Sequence, residues 1–136
     1  MQRLNILRTY SRLFSTSIQD KIKQTVQQND IVVFMKGTVD RPMCGFSRAA
    51  CQILYMNGVP RITGVNVLAS DDFRQGVKEF TKWPTIPQIF VKGEFVGGAD
   101  IILEMHQSGQ LKSYLKDKGI QLEETDKDVL EPPKEQ

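Results

Sequence analysis

The stretch IVVFMKGTVDRPMCGFSRAAC, residues 31–51, decides how the rest of the chain reads. Its first five residues, Ile31 to Met35, are all apolar and rich in β-branched side chains. The run is too short for a helix and reads as a buried strand. A polar loop follows, Lys36 to Met43, and from about Cys44 to Asn57 the pattern is helical, with Gly58 as its stop. A cysteine at such a strand–loop–helix junction is where thiol-redox proteins keep a Cys-x-x-Cys pair. Here the second position is Ser47, so the attacking thiol is kept without a resolving partner.

Working outward, Thr16 or Ser17 can cap a helix that carries Ile18, Ile22, Thr25 and Val26 on one face and ends near Asn29. Ile62 to Val67 reads as a second strand. Ser70 caps a helix through Thr81, with Asp71 and Asp72 in the first turn where the helix dipole favours them. Trp83-Pro84-Thr85-Ile86-Pro87 cannot be helix and leads into Gln88 to Val91, a Lys92-Gly93 turn, and Glu94 to Val96, which together read as a hairpin. Gly97 and Gly98 open a last helical segment, broken near Gly109 and resumed to Lys118. The order α-β-α-β-α-β-β-α puts parallel crossovers first and an antiparallel hairpin after. The expected fold class is α/β, with a four-stranded mixed sheet covered by helices on both faces.

At 136 residues the chain is expected to form one domain able to bury a core without metals or disulfides. Its apolar runs do not exceed five residues, so no membrane span is expected. Two cysteines are too few for a disulfide scaffold, and the lack of a secretory apolar segment points to a reducing compartment. The net charge of +2 is unevenly placed. Residues 1–17, MQRLNILRTYSRLFSTS, hold Arg3, Arg8 and Arg12, several Ser and Thr, and no acid, which is the composition of a mitochondrial transit peptide. Residues 1–14 are therefore expected to be the transit peptide, and 15–119 the folded domain. Cleavage near Phe14 would leave 15 basic residues against 16 acidic ones, a balance that argues against nucleic acid as a partner. Residues 120–136 read as an acidic disordered tail: from Gln121 onward six acids face two lysines around a Pro-Pro pair.

At the start of a helix, the Cys44 sulfur faces unpaired backbone N–H groups and the positive dipole end, which favours thiolate over thiol. Lys36 adds a positive charge across the loop, so a lowered pKa is expected; the plain alternative is a small buried residue. Cys51 cannot be its partner, because seven residues of helix rise about 10.5 Å and a disulfide needs Cα atoms within roughly 7 Å. Core packing is the expected role of Cys51.

Four motifs in register, Lys36-Gly37-Thr38, Cys44-Gly45-Phe46-Ser47, Trp83-Pro84-Thr85-Ile86-Pro87-Gln88 and Gly97-Gly98-Ala99-Asp100, resemble the monothiol (CGFS-type) glutaredoxins, in particular their single-domain mitochondrial type. The likeness runs from about Ile18 to Lys118. It implies a thioredoxin-like fold and a glutathione site. On that reading Lys36 pairs with a glutathione carboxylate, and Arg74 and Lys78, one turn apart, offer charge to the glycyl end. The resemblance also implies a cis bond before Pro87, which turns Thr85-Ile86 toward the cysteine so that the Ile86 backbone pairs with the tripeptide. Gly98 lets backbone come close, the N–H groups of Ala99 and Asp100 suit the γ-glutamyl carboxylate, and the Asp100 side chain takes the ammonium. The plain alternatives remain: solvated helix charges for Arg74 and Lys78, a simple turn for Gly97-Gly98, and a helix cap for Asp100. Phe46 reads equally as an apolar cover or a core side chain. Many relatives carry a second cysteine where this chain has Ala99, and that disulfide option is absent here.

The resemblance further implies a [2Fe–2S] cluster with Cys44 as the protein's metal ligand. Such a unit takes four ligands, normally thiolates; two chains and two glutathiones supply them, making the cluster the glue of a homodimer. Ser47 fits this, because a cysteine there would offer oxidation to a disulfide in competition with metal. Two functions stay open. One is a mitochondrial matrix carrier that passes the cluster from the assembly scaffold to recipient proteins, with chaperone and BolA-like proteins as further partners. The other is a glutathione-dependent thiol–disulfide oxidoreductase, or deglutathionylase, in which Cys44 attacks a mixed disulfide. The longer loop Gly37 to Arg41 resembles that of the carriers and favours the first; a redox-sensitive docking module is a third reading. His106, the one histidine, has no second ligand candidate nearby, and no metal role is expected of it.

Overall fold

The computed structural model describes residues 17–124. The expected transit peptide, 1–14, and most of the expected tail lie outside them. The elements are α1 (Ile18–Gln28), β1 (Ile31–Met35), α2 (Gly45–Met56), β2 (Thr63–Asn66), a 3₁₀ turn (Val67–Ala69), α3 (Asp71–Thr81), β3 (Gln88–Val91), β4 (Glu94–Gly97), α4 (Ala99–Gln107) and α5 (Gln110–Asp117). Strand order is β2-β1-β3-β4, with β1 parallel to β2 and antiparallel to β3, and β3 antiparallel to β4. The mixed sheet with helices on both faces is thus as expected.

The all-apolar β1 run follows from its central place. Successive side chains of a strand point to opposite faces, and here each face is covered. Ile31, Val33 and Met35 pack with Ile53 and Leu54 of α2, Ile102 of α4 and Leu111 and Leu115 of α5. Val32 and Phe34 pack on the other face with Ile22 and Val26 of α1 and Val77 of α3. Phe34 meets Phe90 edge to face, ring centroids 5.6 Å apart. Such a pair adds about 0.5–1.5 kcal/mol beyond the area it buries.

Local signals set the helix ends. Ser17 accepts the Asp20 N–H at 3.1 Å and Ser70 the Phe73 N–H at 3.3 Å, each the start of an expected helix. Gly109, at φ 77°, separates α4 from α5. The second strand is shorter than expected, because the Asn66 carboxamide oxygen accepts the Leu68 N–H at 3.0 Å and turns Val67 into the 3₁₀ turn. Beyond α5, Ile120 is 6% exposed in the core, and the Glu123 N–H bonds the Gly58 carbonyl at 2.7 Å. Ordered packing therefore continues past residue 119. Among the described residues no helix is long and apolar enough to cross a membrane.

Candidate functional site

Cys44 is the N-cap of α2, in extended backbone (φ −150°, ψ 139°), and half-buried. It is placed from both sides. On the strand side, the Lys36 N–H donates to the Ser47 hydroxyl at 3.1 Å, with Ser47 fully buried, so the end of β1 is hooked to the first turn of α2. On the loop side, residues 37–42 close on themselves. Thr38 and Arg41 exchange backbone hydrogen bonds at 3.1 and 3.2 Å, and the Met43 N–H reaches the Lys36 carbonyl at 2.9 Å. Gly37 sits at φ 92°, where an added Cβ would come 2.5 Å from the Arg41 carbonyl oxygen, and its N–H donates to Asn66 Oδ1 at 3.0 Å. Only glycine fits that turn without displacing backbone.

The expected lowering of the Cys44 pKa holds in direction. The Cys44 pKa lies below its ordinary value, chiefly because the Ser47 backbone N–H hydrogen-bonds the sulfur; burial opposes this, while the Phe46 N–H, the Ser47 hydroxyl and the Lys36 charge add to it. Cys51 is the reverse case. It is 3% exposed, its Sγ lies 3.9 Å from Met35 Sδ, and burial pushes its thiol up. Its core role is as expected, which leaves Cys44 as the reachable thiol.

Beside Cys44 opens a groove of about 390 Å³. Lys36 from the end of β1 and Phe46 from α2 line one side of it, Arg74 and Lys78 of α3 another, Thr85, Ile86 and Pro87 the loop before β3, and Gly98, Ala99 and Asp100 the start of α4. Every candidate residue other than Cys44 thus lines one groove, with Cys44 at the helix start next to Phe46. Trp83 and Pro84, quoted in the motif without a site role, line it too. Phe46 is 64% exposed, which removes the core alternative for it. The Ile86–Pro87 peptide is cis, as the resemblance implies. Gly98 brings backbone close: an added Cβ would lie 3.3 Å from the Pro87 carbonyl oxygen and 3.4 Å from Trp83 Nε1. Gly98 is also the N-cap of α4, with no side chain to take up the first-turn N–H groups.

Three supporting contacts escaped the sequence reading. Gln88, fully buried, donates from Nε2 to the carbonyls of Trp83 (2.9 Å) and Thr85 (3.1 Å) and accepts from Thr81 Oγ1 (2.8 Å), tying the loop before β3 to the end of α3. Its signal was a polar residue opening an otherwise apolar strand. Asn66 clamps the 37–42 loop, and an Asn between a strand and a turn is a local sign of such bonding. The third, the Ser47 hydroxyl, has a partner from outside its own helix and carried no signal. His106 Nδ1 lies 3.0 Å from Asn57 Nδ2, which also donates to Ile53 O; this ring is engaged at the far end of α2 from Cys44.

The glutaredoxin family model matches residues 31–96. A mitochondrial glutaredoxin-related protein 5 of Danio rerio is 54% identical over 106 residues, 78% of this chain and 68% of the relative. The mitochondrial monothiol glutaredoxin-5 of Schizosaccharomyces pombe is 48% identical over 122 residues, 88% of this chain and 84% of the relative. Among solved structures, a truncated Trypanosoma brucei 1-C-Grx1 superposes with TM-score 0.71 at 42% identity, covering 82% of this chain and 99% of its own. A buckwheat glutaredoxin in complex with glutathione superposes with TM-score 0.66 at 25% identity, covering 76% and 91%. The fold is accordingly the thioredoxin-like glutaredoxin fold, and with one thiol at the helix start followed by a buried serine, the chain belongs to the monothiol glutaredoxins of the glutaredoxin-5 kind.

Proposed function

We propose that this protein binds glutathione in the groove beside Cys44 and, as a homodimer, carries a [2Fe–2S] cluster from an assembly scaffold to recipient proteins in the mitochondrial matrix. The observation that carries the reading is a single reachable sulfur, its pKa lowered, beside a cation-lined groove, with the next sulfur buried. Among the described residues no three His, Cys, Asp or Glu side chains gather to hold a metal. In this reading Cys44, the reachable thiol, is the one ligand of four that each chain supplies, and a bound thiol and a second chain complete the set. The glutathione complex of the buckwheat relative supports the ligand, and the mitochondrial relatives together with the Arg-rich, acid-free residues 1–17 support the compartment. Removal of residues 1–14 as a transit peptide belongs to the same proposal.

Each groove residue has a task in this reading. Lys36, with Arg74 and Lys78, neutralises carboxylates of the tripeptide, and charge-assisted bonds of this kind are the strong ones. The Thr85–Pro87 turn presents the Ile86 backbone for pairing, as an added strand would. The N–H groups of Ala99 and Asp100 at the start of α4 take the γ-glutamyl carboxylate, and the Asp100 carboxylate its ammonium. Phe46 shields the cargo from water. A BolA-like protein, scaffold and chaperone proteins are further partners in this proposal.

The test is anaerobic reconstitution with iron and sulfide, with and without glutathione, beside Cys44→Ser, read by visible absorption and solution mass. Charge-transfer bands that need glutathione, on a species heavier than a monomer, and that vanish in the variant support the carrier. With no cluster under any condition, the thiol–disulfide oxidoreductase, which uses the same thiolate and groove, becomes the better account.

A further inference from the structure

A second groove, of about 610 Å³, lies between the 37–42 loop and α2 and shares no lining residue with the first. Its charged side chains are Arg41, Arg48 and Asp40, and Gln52 and Tyr55 continue it along α2. Arg41 and Arg48 stand three residues before and four after Cys44. Neither forms an ion pair among the described residues, and both are exposed. Their backbones are fixed: the Arg41 N–H bonds both the Thr38 carbonyl (3.1 Å) and the Thr38 hydroxyl (3.0 Å), and the Arg48 N–H bonds the Cys44 carbonyl (3.0 Å). Tyr55, 42% exposed, lies seven residues beyond Arg48, about 10.5 Å along the helix.

We propose that this groove docks an acidic, extended segment of the protein that exchanges cargo with Cys44. Two unpaired guanidiniums against one carboxylate call for negative charge, and their forks match carboxylates. The glutathione groove does not use them; its cations are Lys36, Arg74 and Lys78. A nucleic acid would need a broader basic surface than two arginines on a near-neutral domain. An extended chain advances about 3.3 Å per residue. Because successive side chains alternate in side, the fitting segment has two adjacent carboxylates, the first for Arg48 on α2 and the second for Arg41 on the loop, and, four residues after the first, an apolar or aromatic side chain back on the α2 side for Tyr55.

The inference deepens the carrier reading but is tested without any cluster, so the two fail separately. The ¹⁵N-labelled full chain, saturated with glutathione, is titrated with a capped synthetic Glu-Asp-Ser-Gly-Leu peptide and with its Lys-Lys counterpart. The acidic peptide is expected to shift the amides of Arg41, Arg48, Gln52 and Tyr55 to saturation, the basic one not at all. Arg41→Gln/Arg48→Gln weakens binding at least about ten-fold, and about 0.5 M salt abolishes it. Shifts confined to Lys36, Arg74 and Lys78, equal shifts with the basic peptide, tighter binding of a single-stranded oligonucleotide, or no shift would each overturn the proposal. So would movement of these amides with protein concentration alone, which assigns the face to a second copy. The same holds if neutralising Asp126, Asp128 and Glu131 moves them before any peptide is added, which assigns the face to the chain's own acidic stretch.

Discussion

The buried Ser47 hydroxyl accepts the backbone N–H of Lys36 at 3.1 Å while the Ser47 backbone N–H holds the Cys44 sulfur. One residue therefore joins the end of the central strand, which carries a groove cation, to the reactive thiolate. Ser47→Ala is expected to leave the Lys36 N–H without an acceptor at a cost of about 1–3 kcal/mol, read as a lower urea midpoint at unchanged m-value. Ser47→Cys is expected to be oxidised readily to a disulfide with Cys44 and to hold less reconstituted cluster.

The pH dependence of Cys44 follows from its lowered pKa. Alkylation by iodoacetamide is expected to titrate below the ordinary thiol value, with Cys51 silent in the folded chain. Lys36→Gln is expected to move this profile little, because the Lys36 charge is the smallest of the contributing causes and the Ser47 N–H, a backbone group, the largest. A shift as large as the whole depression would contradict that ranking. In the linkage sense, a depressed acid pKa means that the unfolded chain holds the proton longer as pH rises. Cys44 thus adds stability above the unfolded thiol value of about 8.5, and that contribution is lost as pH falls through the folded value. Comparing wild type with Cys44→Ser by denaturation across this range measures it.

Gln88 is the positioning residue of the loop that walls the groove. Gln88→Leu fills a similar volume but leaves the carbonyls of Trp83 and Thr85 without this donor, while the Thr81 hydroxyl keeps the Val77 carbonyl as its acceptor. Each orphaned group costs about 1–3 kcal/mol when buried, less where water reaches it. The expected result is a lower melting temperature together with weakened glutathione binding, measured by calorimetry, although Gln88 does not line the groove.

Arg74 and Lys78 are partly solvated, so the effect of each on glutathione is modest. Arg74→Gln and Lys78→Gln are each expected to weaken binding about two- to five-fold and to flatten its salt dependence. A Kd unchanged at low salt in the double variant would return both residues to the plain reading of solvated helix charges.

The sequence alone determined those elements whose causes are local. Ser17 and Ser70 cap helices with their own side chains, Gly109 breaks α4 from α5, and the β1 run could only be a strand covered on both faces. The lowered pKa of Cys44 was legible for the same reason, since a helix start needs only its own first turn. Tertiary structure decided what depends on partners far along the chain. Ser47 reaches eleven residues back to Lys36, and Asn66 twenty-nine residues back to the loop at Gly37. Lys36, Arg74, Ile86 and Asp100, separated by up to sixty-four residues, meet in one groove because β1 lies beside β3 in the sheet. Hydrogen bonds and charge act over a few ångströms of space, whatever the separation in sequence. A residue's type and neighbours can name its chemistry, but only the sheet order brings those groups to one place.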